Sequence, residues 1–386
     1  MAADRSPRLG TYIVTAVAGE KVRAFVPPPL PPKPPLRFTD LQVRLEQANQ
    51  ALGRLDGLAS ALPNLPHFIY MYVRKEAVLS SQIEGTQSSL SDLLLFENAE
   101  TPGVPLHDVQ EVSNYVAAIE HGQRRLREGF PLSLRLIREL HEILLATGRG
   151  SDKQPGEFRR SQNWIGGTRP GNAHFVPPPP DKLMESMGAL EMFLHEERPD
   201  LPVLVKAGLV HVQFESIHPF LDGNGRVGRL LIVFLLCATG VLREPILYLS
   251  LYFKTHRQFY YELLDRVRTE GDWEGWLEFF LDGVRETADQ AAATARRIVD
   301  LFSADGQRIE GLGRASASAR RIHEFLQTNP ICSIRGAAEK LGISAPTVAK
   351  SFAHMRKLGM LREITGKQRR RLFAYDRYLA ILNSGM

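Results

Sequence analysis

Twelve consecutive residues, His218 to Arg229 (HPFLDGNGRVGR), set a histidine, an aspartate, a Gly-Asn-Gly turn and two arginines side by side. Histidine is the side chain best suited to taking a proton from a hydroxyl near neutral pH. Asp222 offers a hard oxygen of the kind Mg2+ takes alongside phosphate oxygens. Gly223 and Gly225 free the backbone around Asn224 to turn its N–H groups to one side, where a helix should begin at about Arg226. Such a turn is an anion site, because unsatisfied N–H groups and the helix dipole both favour phosphate. Arg226 and Arg229, three apart, would add positive charge to the same anion. Together these are the parts of phosphoryl or nucleotidyl transfer. Singly, a histidine at a helix end is usually structural and Gly-Asn-Gly usually a turn; their clustering between two apolar stretches sets this loop apart.

Those stretches must position it. Pro202 to Ile217 is apolar almost all round, as a buried central helix would be, and Val227 to Thr239 is the same. Upstream, Leu41, Leu45, Leu52, Leu55 and Leu58 recur at helical spacing and Pro63 closes the segment. Further helices are expected over Pro66–Gln82, Asp108–Leu126 and Leu132–Leu145. Few segments alternate with period two, so the fold class is mainly α, with small β elements confined to loops. Asn163 to Val176 is one such loop: Trp164-Ile165 and Phe175-Val176 flank a Gly- and Pro-rich turn, and Pro177 to Pro180 follow. Pro27 to Pro35 holds seven prolines in nine residues, an extended segment that is either a strap on the body or an SH3-type ligand.

The longest apolar run, Leu230 to Leu242, falls short of the roughly 20 residues of a membrane span. With no N-terminal signal pattern, a soluble, cytoplasmic protein with no membrane partner is expected. Cys237 and Cys332 fall in separate expected helical regions, which supports neither a disulfide framework nor a cysteine metal cluster. The net charge of +5 is uneven: residues 314–386 hold 14 Lys+Arg against 4 Asp+Glu, and the rest of the chain 34 against 39. One end is built to meet something negative.

His218–Arg229 fits HxFx(D/E)GNGRxxR at every defined position, and in this the chain resembles the Fic family. The resemblance implies a Fic-fold helical core with a small β-hairpin flap at 163–176 and a helical N-terminal extension. It implies transfer of AMP from ATP to a Ser, Thr or Tyr hydroxyl of a protein, with Mg2+ as cofactor. His218 would be the general base and Asp222 the metal ligand. Gly223, Asn224 and Gly225 would form the anion hole, Arg226 would steady the phosphates, and Arg229 would contact the γ-phosphate. Phe220 would pack into the core and hold the loop. The flap would pair with an extended segment of the target. Tyr260-Tyr261 and Gly271-Asp272-Trp273 resemble segments behind the motif, the tyrosines either bordering the adenine or serving as core aromatics. Ser80, Glu84 and Gly85 fit the family's inhibitory pattern (S/T)xxxE(G/N), in which Glu84 pairs with Arg229 and blocks the γ-phosphate. The alternatives for Glu84 are a solvated helix end capped by Gly85, or a residue that also positions water for AMP removal. Another nucleotide donor, UTP or CDP-linked, would suit the same scaffold. A DNA-binding regulator that only senses nucleotide is the competing class, and the intact His218 and Asp222 count against it.

Residues 317–328, 334–341 and 345–358 read as three short helices, with Gly342 at a tight turn and Ser344 as a cap. Leu361–Tyr375 could form a wing around Thr365-Gly366-Lys367-Gln368. This end resembles a winged helix-turn-helix, which implies recognition through Thr347, Lys350, Ser351, His354 and Arg356, and phosphate contacts from Lys367, Arg369, Arg370 and Arg371. The charge points to DNA; docking of a protein, or a homodimer, is the other use of such a module. The expected domains are 1–115 (strap and inhibitory region), 116–285 (catalytic core), 286–313 (helical linker) and 314–386 (winged helix).

Overall fold

The computed structural model describes residues 8–17, 19–62, 65–97, 103–367 and 369–384. Pro63, expected to stop the first helix, and Gln368 of the wing lie outside them. The chain is mainly helical, but it opens on a hairpin that the sequence did not announce, β1 (Thr11–Val17) with β2 (Glu20–Val26), Thr11 opposite Val26. Val22 and Ala24 bury one face of β2 against Val176. Residues 27–35 do run as a strap: Pro28 O accepts from Gln213 Nε2 at 2.8 Å, and Pro34 O and Pro35 O accept from Arg8.

α1 (Phe38–Ala61), α2 (Leu65–Ile83), α3 (Leu90–Glu97), α4 (Leu106–Arg127), α5 (Leu134–Leu144) and α6 (Pro180–His195) follow. Pro180 ends the run of four prolines and also starts α6, because a first helical position needs no N–H donor. The centre is α7 (Val203–Ile217) against α8 (Asn224–Ala238), joined by the glycine-rich loop. Leu204 to Ile217 are all buried, as the all-round apolar pattern requires.

α9 (Ser250–Thr255) and α10 (Arg257–Glu270) lead into α11 (Trp273–Glu310), 38 residues long. Its first half packs on α7 so closely that a Cβ on Gly208 would lie 2.9 Å from Leu277. Because α11 runs unbroken past 285, the expected core–linker boundary falls inside one helix.

Its far end carries the last module: α12 (Ser316–Thr328), β3 (Ile331–Ser333), α13 (Ile334–Leu341), α14 (Ala345–Lys357), β4 (Arg362–Glu363), β5 (Leu372–Ala374) and α15 (Asp376–Leu382). β5 pairs antiparallel with both β3 and β4, and Ser344 caps α14. This is a winged helix. Cys332 therefore lies on a strand, not a helix. Asp305 of α11 is wholly buried, accepts from Tyr375 Oη at 2.7 Å, and pairs with Arg377 and Arg308, which fixes the module to the helix. Among the described residues no helix is long and apolar enough to cross a membrane.

Candidate active site

α7 ends at His218, whose backbone takes the left-handed conformation (φ 49°, ψ 61°), a strained state for a residue with a side chain. Gly223 (φ 76°) then starts α8, two residues earlier than expected. Having no side chain, Gly223 caps nothing, so the N–H groups of the first turn have neither an intrahelical acceptor nor a cap from that residue.

The loop between is pinned from within and below. Asn224 is buried; its Oδ1 accepts from Phe220 N and its Nδ2 donates to Phe220 O, both at 2.8 Å. Its side chain thus closes the loop, and only its backbone faces the turn. Phe220 is fully buried and stacks on His141 of α5, ring centroids 3.7 Å apart. His141 Nδ1 accepts from Gly156 N at 2.9 Å, so its other nitrogen carries the proton and donates to Asp222 O at 3.0 Å. Burial pushes this imidazole down to about 4, which keeps it in that neutral form.

His218 O accepts from Arg159 Nε at 3.0 Å, and Asn163 Nδ2 donates to Phe220 O at 2.9 Å. Neither His141 nor Arg159 belongs to a local pattern that reading the sequence could have caught. The His218 ring is half-buried, and burial with the nearby guanidinium groups of Arg268 and Arg159 pushes it down to about 3, against a hydrogen bond to the Glu215 backbone that raises it. The imidazole is therefore neutral at physiological pH and has a lone pair for a proton.

The two arginines part company. Arg226 was expected on the phosphates, but it is wholly buried, 3.3 Å from Glu111 Oε2 on α4 and 3.4 Å from Asp222 Oδ1. It orients Asp222 from behind. Glu111, itself buried and also 3.4 Å from Arg149, is a member of the site that sequence reasoning missed. Arg229 instead faces α2: it donates to Ser80 Oγ at 2.9 Å, Ser80 O at 3.0 Å and Glu84 Oε1 at 2.8 Å. Burial alone would raise the Glu84 pKa, but Arg229, helped by Arg226, holds it below the ordinary range. Glu84 Oε1 lies 2.4 Å from where a Cβ on Gly225 would sit, so the carboxylate occupies the space over the anion turn. Gly85 (φ 98°) turns the chain away.

Asp222 Oδ1 also accepts from Gly223 N at 2.6 Å. Among the described residues no group of three or more His, Cys, Asp or Glu could hold a metal. One carboxylate fits Mg2+ only as an ion shared with phosphates and water.

Tyr260 sits as a core aromatic: it is buried, and its hydroxyl lies 2.9 Å from His211 Nε2, while His211 Nδ1 donates to Gly228 O at 3.0 Å. Tyr261 is 43% exposed. Asp272 caps α11 and Trp273 is core. The flap is a single antiparallel bridge, Ile165 to Phe175, around a turn at Pro170–Asn172. The N-terminal hairpin braces it: Glu20 accepts from Arg169 Nη1 and Gly171 N at 2.7 Å, and Phe25 N donates to Val176 O at 2.8 Å.

In the winged helix, Lys350, Arg356, Lys367, Arg369, Arg370 and Arg371 are exposed. Thr347 shares a 2.8 Å hydrogen bond with Ser344, and His354 is half-buried. Ser351, expected on the recognition face, is buried 3.3 Å from Ser318 and cannot reach a ligand. Arg335, Arg362 and Arg377 pair with Glu339, Asp376 and Asp305.

A left-handed histidine and a glycine-capped helix between two buried central helices define a Fic-type fold and site. Residues 42–124 match the Fic/DOC family N-terminal domain, 131–236 the Fic/DOC family domain, and 316–362 a winged helix-turn-helix DNA-binding domain. The chain belongs to the Fic/DOC family. It is similar to protein adenylyltransferase Fic of Culex quinquefasciatus, 29% identical over 73% of this chain and 55% of that one. It is 32% identical to protein adenylyltransferase Fic of Aedes aegypti, over 64% of this chain and 46% of that one. The chain thus spans about half the length of these curated relatives. A Fic family protein from Desulfovibrio desulfuricans shares the fold with a TM-score of 0.58, 21% identity and coverage of 89% and 97% of the two chains. A Fic domain containing signaling protein from Bacteroides thetaiotaomicron does so with 0.55, 22%, and 66% and 97%.

Proposed function

We propose that this chain transfers AMP from ATP to a Ser, Thr or Tyr hydroxyl of a target protein and that Glu84 restrains it. The observation that carries the proposal is a neutral His218 beside a glycine-capped helix start whose anion space is filled by a carboxylate. With Glu84 withdrawn, the turn and Arg229 would receive the phosphates of ATP. The target hydroxyl would give its proton to His218 as its oxygen bonds to the α-phosphorus. The bond from that phosphorus to the bridging oxygen breaks, and pyrophosphate leaves. Positioning and charge stabilisation would supply most of the rate. Asp222, oriented by Arg226, would hold Mg2+, whose charge would offset that of the phosphates. The flap edge at 163–176 would seat the target as an added strand.

The names of the insect relatives support AMP as the transferred group. Incubating the Glu84→Gly chain with Mg-ATP, with and without a protein extract as acceptor, and measuring intact and peptide masses tests this. An added AMP that disappears with His218→Ala is expected. No AMP adduct on the chain or on any acceptor would reject the reading. The winged helix would carry the chain to DNA through the exposed cations of the wing and α14.

A further inference from the structure

A cleft of about 340 Å3 opens where α2, the far half of α11 and α12 meet. Phe68, Ile298 and Phe302 line its floor, and His67, Arg320 and Glu324 its rim. Apolar walls with a few polar groups, at a junction between domains and of this size, are the usual makings of a small-molecule site. Gly306 adds a second observation. It lines the cleft within a 38-residue helix, where glycine costs about 1 kcal/mol against alanine. A Cβ there would meet no atom within 4 Å, so packing does not demand the glycine. Its missing side chain leaves the cleft open.

One wall is the helix that carries Ser80 and Glu84. His67 and Phe68 stand in the first turn of α2, about 18 Å from Ser80 at 1.5 Å per residue. α2 is also tied to the winged helix: His67 Nδ1 lies 3.4 Å from Gln327 Oε1 on α12, and Lys75 Nζ donates to Ser384 O at 3.1 Å. Whatever parts α2 from α12 moves one end of a rigid rod whose other end holds Arg229.

We propose that this cleft binds a small aromatic molecule with one anionic edge, and that its occupancy sets the position of α2. The rings of Phe68 and Phe302 would take the aromatic body. The guanidinium of Arg320 would take the anionic edge, giving up its exposed partner Glu310. The regulatory half rests on the restraining role given to Glu84; the binding half does not.

The test uses the full chain and anilinonaphthalene sulfonate as the probe. Saturable, one-site fluorescence enhancement is expected, with affinity falling roughly tenfold or more in Gly306→Leu, which fills the space. Because that change favours the helix, thermal stability should hold or rise; Ile298→Trp, which narrows the floor, is the second variant. Bound probe should change amide hydrogen exchange at Ser80–Gly85 in the unaltered chain. Equal binding in the unaltered chain and both variants, no saturable binding, or unchanged exchange at Ser80–Gly85 would each overturn the proposal. None of these readouts requires AMP transfer, so they stand whether or not the chain is a transferase.

Discussion

Arg229 Nη2 lies 2.8 Å from Glu84 Oε1, and the same guanidinium bonds both the hydroxyl and the carbonyl of Ser80, one turn earlier on α2. Residues four apart on a helix share a face, so α2 meets Arg229 with a fixed pair of acceptors. An incoming phosphate would have to displace the carboxylate but could leave the serine in place. Ser80 thus holds the arginine in position whichever anion it serves.

Glu84→Gly should therefore raise AMP transfer, by about tenfold for each 1.4 kcal/mol by which the pairing favours the closed pose. Arg229→Ala should lose activity with or without Glu84. The Glu84 change should cost less stability than the about 3–5 kcal/mol of breaking a fully buried pair, because its side chain keeps 30% exposure. Initial rates of adduct formation and thermal melts check both. Equal rates for the variant and the unaltered chain would mean that Glu84 restrains nothing.

The pH profile should carry the mark of His218. With its imidazole pushed down to about 3, the neutral base is fully formed across the physiological range. Glu84 raises the His218 pKa, so removing it moves the acidic limb lower still. kcat/KM of Glu84→Gly, which reports the free enzyme, should stay within about twofold between about pH 5 and 8. A loss of about tenfold per unit below about 6.5 would instead mark an ordinary imidazole.

What was legible in the sequence was what is contiguous. His218, Asp222 and the glycine turn lie within twelve residues, and Glu84 sits in a string that is informative once the loop is recognised. Glu111, His141 and Arg159 come from separate elements and carry no local pattern, so only the fold assembles them. Arg226 and Arg229 part for a geometric reason: three residues leave them about 60° apart around a helix, which turns Arg226 to α4 and Arg229 to α2. The N-terminal hairpin went unread although β2 alternates over Lys21–Ala24, because β1 has no fully buried residue and Tyr12, Ile13 and Val14 follow one another without a polar break.

His141 is a positioning residue, and its loss should be structural first. His141→Ala strands Gly156 N and Asp222 O and leaves a void beneath Phe220, at a cost of about 2–4 kcal/mol. Its folded pKa of about 4 lies below the ordinary 6.5, so its contribution is full above 6.5 and is lost as pH falls toward 4. Melting temperature should drop more steeply over that interval in the unaltered chain than in the variant. Parallel curves would remove His141 from the acid sensitivity.

Glu20 offers a test of the flap at a distance from the chemistry. Its carboxylate holds Arg169 and Gly171 from the N-terminal hairpin, away from the glycine loop. Glu20→Ala should loosen the turn at Pro170–Asn172, raise KM for the protein target several-fold by an order-of-magnitude estimate, and spare kcat, as removal of uniform binding does. Faster amide exchange confined to 166–172 should accompany it. A fall in kcat with KM unchanged would place the effect on the catalytic loop instead.

The exposed cations of the winged helix should show themselves through salt. With Arg335, Arg362 and Arg377 already paired, Lys367, Arg369, Arg370 and Arg371 on the wing and Lys350 and Arg356 on α14 remain to meet phosphates. For the full chain on random duplexes, log affinity should fall with log salt by about 0.9 per phosphate neutralised. Replacing Arg369, Arg370 and Arg371 together with Ala should flatten that slope by about 3 and weaken all sequences alike, if each contacts one phosphate. Changes at Lys350 or Thr347 should shift sequence preference instead. A gel-shift series across salt reads the slope directly. If no duplex binds even at low salt, the positive face serves an acidic protein surface or a second copy of the chain. Light scattering with and without the triple change would then show whether the second copy is the partner.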